Sequence, residues 1–142
     1  MKFEAGDRVE VCSKQKGYAG SYYEATVVEP LDQGQSYSVR YKYSLEEKTS
    51  LMEIVSADEV RPPPPPAPGI SSEISGVLKY KAVDAFDGVG WWVGQITGKP
   101  CWNHYDVYLM TSGHQVSVHA AQLRPHLDWD HNTCEWDSRV YR

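Results

Sequence analysis

The chain has 142 residues, and its 14 Lys and Arg against 19 Asp and Glu give a formal net charge of −5. That balance argues against a general binder of phosphate backbones, which needs clustered Lys and Arg, and suits a basic partner such as a Lys/Arg-rich peptide. Three widely spaced cysteines, Cys12, Cys101 and Cys134, argue against a secreted disulfide framework, and the sequence has no apolar run of signal-peptide or membrane-span length.

Nine prolines, eleven glycines and ten tyrosines point to an all-β chain rich in turns. Gly6-Asp7 reads as a turn, and Arg8-Val9-Glu10-Val11 alternates as a first strand. Ser13 to Ser21 is a polar loop. Tyr22 to Val28 is aromatic and β-branched, a second strand ended by Glu29-Pro30. Leu31 to Gln35 reads as a hairpin turn, with Gly34 supplying the unusual backbone angle. Tyr37 to Tyr43 alternates strictly, so Tyr37, Val39, Tyr41 and Tyr43 share one face. Ser44 to Thr49 is a charged turn. Ser50 to Val55 is a further strand, and Asp58 to Arg61 closes the unit.

Pro62-Pro63-Pro64-Pro65-Pro66-Ala67-Pro68 can neither pair in a sheet nor continue a helix. It reads as a polyproline II spacer of roughly 20 Å, or alternatively as a ligand for an SH3 or WW domain. The order then repeats. Val77 to Phe86 supplies a linking strand and a first strand. Asp87 to Gly90 is a turn, Trp91 to Thr97 a second strand, and Gly98-Lys99-Pro100 a turn. Tyr105 to Met110 is a third strand, Thr111 to His114 a tight turn, and Gln115 to Val118 a fourth strand. Ala120 to Leu123 closes the copy. The tail from Pro125 to Arg142 is expected to pack along a lobe.

Both copies have a strand, an aromatic pair opening a second strand (Tyr22-Tyr23, Trp91-Trp92), a Tyr-x-Val strand, and a closing Val-Arg-Pro or Leu-Arg-Pro. An internal repeat means one small unit used twice. The expected domains are residues 1–62, a proline-rich linker at 63–75, and residues 76–142. Units of roughly 60–65 residues bury only about 60% of their extended-chain surface, so the two should pack together. The fold class is all-β, with two small SH3-like barrels.

Adjacent strand residues face opposite ways, so Tyr22 and Tyr23 cannot both be core. Tyr23 with Tyr41 or Tyr43 can form walls at the open end of a barrel, with Tyr18 on the preceding loop. Aromatic walls attract a cation by about 0.5–2 kcal/mol each. Glu46 and Glu47 on the next turn would add carboxylates. The alternative is that these tyrosines are ordinary core and rim residues. Trp91, Trp102, Trp129 and Trp136 read as core area and lobe–lobe contact.

Gly6 to Val11, Gly20 to Val28, Tyr37 to Tyr41 and Glu59-Val60-Arg61-Pro62 resemble the plant Agenet domain, a Tudor-like member of the Royal group of barrels. Trp91 to Ile96, Tyr105 to Tyr108, Leu123-Arg124-Pro125 and Asp128-Trp129 resemble the second member of a tandem Agenet pair. The resemblance implies a nuclear chromatin reader of a histone H3 tail carrying methyl-lysine, with the dimethylated lysine-nine mark of heterochromatin the expected target. It implies a cage of Tyr23, Tyr41 and Tyr43 with Tyr18 or Tyr22 as a further wall. In the second copy Trp92 takes the place of Tyr23, but Leu109 and Thr111 stand where Tyr41 and Tyr43 do, which places the reading in the first copy. Asp84, Asp87 and Glu135 are then candidate contacts for unmodified basic side chains. The family implies a monomeric module within a longer chain.

No cofactor, metal or enzymatic activity is expected. His126, His131, Cys134 and Cys101 match no recurrent zinc spacing. Asp128, Asp130 and Asp137 have no nucleophile or base set against them, and no phosphate loop occurs. The other readings are an RNA- or nucleic-acid-binding barrel that stacks bases on its aromatics, and a general peptide-interaction module without methyl-lysine selectivity.

Overall fold

The computed structural model describes residues 2–13, 20–42, 51–65 and 82–137. The first lobe contains β1 (Arg8–Cys12), β2 (Tyr22–Leu31), β3 (Ser36–Tyr41), β4 (Met52–Ser56) and β5 (Val60–Arg61). The second contains β6 (Ala82–Phe86), β7 (Trp91–Cys101), β8 (His104–Leu109), β9 (Gln115–His119) and β10 (Leu123–Pro125). A hairpin of β11 (Asp128–Asp130) and β12 (Glu135–Asp137) follows. Strand order is the same in both lobes, β5-β1-β2-β3-β4 and β10-β6-β7-β8-β9, and a single antiparallel pair, Tyr22 with Trp91, joins them into one sheet. No helix among the described residues is long and apolar enough to cross a membrane.

The repeat extends to register. Val9 lies opposite Ala25, and Ala25 opposite Tyr41. In the second lobe Val83 lies opposite Gly94, and Gly94 opposite Leu109. Alternation turns Val9, Val11, Ala25, Val27, Tyr37 and Val39 into one core, and Val83, Ala85, Ile96, Tyr105 and Val107 into the other. Tyr37, buried within its core, accepts a hydrogen bond on its hydroxyl from the Phe3 N–H at 3.1 Å. This closes the N-terminus over the first core.

Two strand ends differ from the sequence expectation, for the same reason. Glu29-Pro30 does not end β2, because a bulge after Val27 lets Glu29, Pro30 and Leu31 pair with Ser38, Tyr37 and Ser36. Gly98-Lys99-Pro100 is not a turn, since β7 runs on to Cys101 through two register shifts. In both places the strand has outrun its other neighbour: β1 stops pairing at Thr26 and β6 at Gln95. A one-sided edge tolerates the proline's missing N–H. The second turn moves to Trp102-Asn103, where Asn103 takes a φ of 63°. Trp102 is therefore exposed at a hairpin tip, not packed between lobes.

The lobes meet through a buried ionic network. Glu10 is 1% exposed, and Asp84 is 0% exposed. Glu10 Oε1 accepts from Arg61 Nη2 at 2.8 Å and from Arg124 Nη2 at 3.0 Å, while its Oε2 accepts from Arg124 Nη1 at 2.7 Å. Arg124 Nε also donates to Asp84 Oδ2 at 2.8 Å. Burial alone would lower the pKa of Arg124, but its hydrogen bond to Glu10 and the charges of Glu10 and Asp84 raise it. Arg61 lies 3.6 Å from the Tyr22 ring centre, and Arg124 lies 4.0 Å from that of Trp91. The tail completes the enclosure: Leu127 O accepts from Arg61 Nη1 at 2.8 Å, Trp136 covers Arg61, and His131 Nε2 donates to Val60 O.

Burying charges is tolerated only when each is paired and hydrogen-bonded, and removing one partner costs about 3–5 kcal/mol. Glu10→Gln is therefore expected to lower the unfolding free energy by about 3 kcal/mol, measured by urea denaturation. His126 adds a pH dependence. Its Nδ1 lies 2.7 Å from Asp84 Oδ1 and its Nε2 lies 2.9 Å from Asp128 Oδ1, so only the imidazolium can donate at both. Burial would lower its pKa, but Asp84 and then Asp128 outweigh that and raise it. Its contribution is complete below the unfolded value of about 6.5 and fades as pH rises through the raised folded value. Thermal melts across neutral pH should show that loss, and His126→Gln should flatten it.

Candidate functional site

The second residue of each aromatic pair points into its own barrel, and the first points at the other lobe. Tyr23 lies on the inner face with Ala25 and Val27, beyond the core, at the open end. Tyr41 lies on the same side of β3, half-buried against the core. Their ring centres are 6.3 Å apart and their planes meet at 82°. They form two walls at right angles. Burial raises the Tyr41 pKa, and the negative charges of Glu53 and Glu59 add to it. The Ser21 hydroxyl, buried, donates to the Tyr23 hydroxyl at 3.1 Å.

The second lobe contributes backbone to this corner. A Cβ built on Gly90 would stand 2.5 Å from Tyr23 Cε1 and 3.1 Å from Tyr22 O. Gly90 is thus the residue that lets the Asp87–Gly90 turn sit against the Tyr23 ring. Thr111 also approaches the first lobe, with its Oγ1 3.9 Å from where a Cβ on Gly20 would lie.

The corresponding mouth of the second lobe has a different lining. Trp92 Nε1 donates to Asp87 Oδ2 at 2.8 Å. Leu109 packs on the core, where Tyr41 stands in the first lobe. Beneath them β7 and β8 approach so closely that a Cβ on Gly94 would stand 2.6 Å from both Val107 Cγ1 and Tyr108 O.

The Agenet domain family profile matches residues 6–65. Two Arabidopsis thaliana proteins align over most of the chain. One is AGENET DOMAIN (AGD)-CONTAINING P1, 28% identical over 87% of this chain and 25% of its own length; the other is DUF724 domain-containing protein 6, 31% identical over 87% and 18%. Among solved structures, Arabidopsis thaliana AGDP1 AGD34 superposes with a TM-score of 0.81 at 27% identity, covering 95% of this chain and 88% of that one. The ADCP1 tandem Agenet domain 3-4 gives 0.76 at 25% identity, covering 95% and 86%. The chain has an Agenet domain at residues 6–65, and its similarity to tandem Agenet proteins runs over nearly its whole length. It has the tandem Agenet fold of two Tudor-like barrels and spans a quarter or less of the length of the curated relatives it matches. Agenet domains are chromatin- and peptide-interaction modules, generally without enzymatic activity.

Within this Agenet pair the sequence-derived candidates separate. Tyr23 and Tyr41 come together. Tyr18, Tyr43, Glu46 and Glu47 lie outside the described residues. Tyr22 turns to the opposite face, beneath Arg61 and 6.1 Å from His126, where burial pushes its hydroxyl up to about 12 against the lowering effect of Arg61. Asp84 is not at a peptide-facing surface, because Arg124 and His126 occupy its two oxygens in the lobe interface. Asp87 orders its turn, accepting on Oδ1 from the Val89 and Gly90 N–H groups at 2.9 and 2.8 Å. Glu135 is exposed on the terminal hairpin, opposite Asp130. The sequence reading missed Ser21, Gly90 and Glu53. Of these, Glu53 was open to it, since it alternates with Val55.

Gly90→Ala places a methyl group in the Tyr23 ring, and overpacking of this kind costs about 1–3 kcal/mol. The variant should displace the Tyr23 aromatic resonances in an NMR spectrum while leaving those of Tyr105 in place.

Proposed function

We propose that this chain reads a methylated lysine on a histone H3 tail, in the nucleus, with the mouth of the first Agenet domain as the lysine pocket and the dimethylated lysine-nine mark as its target. The observation that carries the reading is the perpendicular pair of Tyr23 and Tyr41 at that mouth. Each ring face attracts a cation by about 0.5–2 kcal/mol, and a methylated ammonium loses little water on entering. The negative charges at Glu53 and Glu59 favour the same ligand. Tyr43 and Tyr18 are assigned here as the remaining walls, with Glu46 and Glu47 as flanking carboxylates. The net charge of −5 steers a basic tail toward the module. The second lobe, with Leu109 and Thr111 at the equivalent positions, supplies the wall against which Tyr23 rests.

A histone-tail peptide array covering every methylation state, followed by calorimetry on the hits, tests this. Selective binding of a methylated H3 peptide is expected. Equal affinity for methylated and unmodified peptides would leave a general peptide-binding module instead. Tyr23→Ala should weaken binding at least tenfold, about 1.4 kcal/mol, and Trp92→Ala should cost less in a folded variant. The reverse ranking moves the pocket to the second lobe.

A further inference from the structure

The outer face of the first lobe carries a charge pattern that the second lobe lacks. Register sets Arg8 opposite Thr26, and Thr26 opposite Arg40, one residue from each of β1, β2 and β3. Residues directly opposed on neighbouring strands point to the same side. Here that side is solvent, because the flanking Val9, Val27 and Val39 are buried and the three are exposed. With strands about 4.8 Å apart, the two arginines are rooted about 10 Å from each other with a hydroxyl between them.

An open cleft of about 260 Å³ lies over this row, lined also by Glu24, Lys42 and Pro63. Lys42 Nζ lies 3.9 Å from Glu24 Oε2, so those two charges largely offset each other. Glu10 reaches the cleft as well, but its carboxylate is taken up by Arg61 and Arg124. Among the described residues Arg8 makes no ion pair, and the contact of Arg40 is to Met52 Sδ at 3.9 Å. The equivalent row in the second lobe is Ala82, Gln95 and Tyr108, with Met110 in place of Lys42. The fold does not require this charge, since the other copy forms the same strands without it.

We propose that the Arg8–Thr26–Arg40 row binds the phosphate backbone of a nucleic acid. A guanidinium fork matches phosphate oxygens two at a time, and Arg, Lys and Thr side chains are the usual donors to backbone phosphates. An acidic peptide would look for a buried apolar anchor pocket, whereas this cleft is open and flanked by the exposed Arg8 and Arg40. The overall charge of −5 is spread over the chain, whereas the cleft itself is left net positive, since Glu24 faces Lys42 and Glu10 is taken up by Arg61 and Arg124. The row lies on the opposite side of the sheet from the Tyr23 and Tyr41 rings, so both can be occupied at once. With few phosphate contacts, binding is weak, insensitive to sequence and strongest at low salt.

Fluorescence anisotropy with a short mixed-sequence DNA duplex, between about 50 and 200 mM salt, tests the proposal. The 142-residue chain should bind, with log K falling linearly in log salt. Arg8→Gln and Arg40→Gln should each reduce that slope by about one, and together they should weaken binding about tenfold or more at low salt. Replacing both by Lys should keep the slope and most of the affinity. That second variant separates lost charge from lost folding, as does an unchanged urea midpoint. Three outcomes overturn the proposal: no binding of the unaltered chain at low salt, an unchanged affinity in the double Gln variant, or displacement of the DNA by an Asp/Glu-rich peptide at lower concentration than by unlabelled DNA. Histone-peptide affinity, measured in parallel, is expected to be unaffected by either arginine.

Discussion

Glu10 holds the molecule together. Its carboxylate is out of water and gripped by two guanidinium groups, one from each lobe. A lone carboxylate in that position would be expelled or neutralised, and two lone arginines would be no better placed. Together they require one another, and the requirement extends outward. Arg124 needs Asp84, Asp84 draws in His126, and Arg61 needs the Leu127 carbonyl. The C-terminal hairpin is thereby drawn over a junction that the two barrels alone would leave open.

The junction assigns each aromatic pair its duties. Because successive strand residues face opposite ways, fixing Tyr22 on Arg61 leaves Tyr23 facing the mouth of its own barrel. Fixing Trp91 on Arg124 does the same for Trp92. The ionic network and the candidate lysine pocket are therefore two faces of one strand segment. A single peptide unit, between Tyr22 and Tyr23, joins the two. Gly90 tightens the coupling by bringing second-lobe backbone against the first-lobe ring. The Arg8–Thr26–Arg40 row lies on the network's face of the sheet, farther along the strands from Glu10 and Tyr22.

Much of this was legible in the sequence, through period and repetition. Alternation in Tyr37 to Tyr41 and in Arg8 to Val11 placed the core faces. Matching the two copies also put Leu109 where Tyr41 stands, as the register has it. What escaped was whatever depends on a neighbour not adjacent in sequence. Pro30 and Pro100 looked like strand ends because a proline forbids pairing on one side only, and the sequence does not say which side is vacant. Asp84 looked like a surface carboxylate because nothing local announces that Arg124 and His126, some forty residues away, will converge on it. The repeated Arg before each closing proline was noticed as a family signature. That it carries charge into the interior required knowing that each lobe's β1-type strand bears an acid opposite it, Glu10 facing Arg61 and Asp84 facing Arg124.

The pairing of Tyr22 with Trp91 has one more consequence. These are equivalent residues of the two copies, and they meet antiparallel. A contact between equivalent positions is the mark of an approximate two-fold axis, as in an isologous dimer of a single repeat. Covalent connection has removed the obligation of the halves to be identical. Arg124 reaches both Glu10 and Asp84, whereas Arg61 has Glu10 alone as its acidic partner among the described residues. A true dimer would have to satisfy both ends alike and present two identical mouths. This chain holds its dyad with a lopsided lock, leaving one mouth lined with tyrosines and the other filled with a leucine.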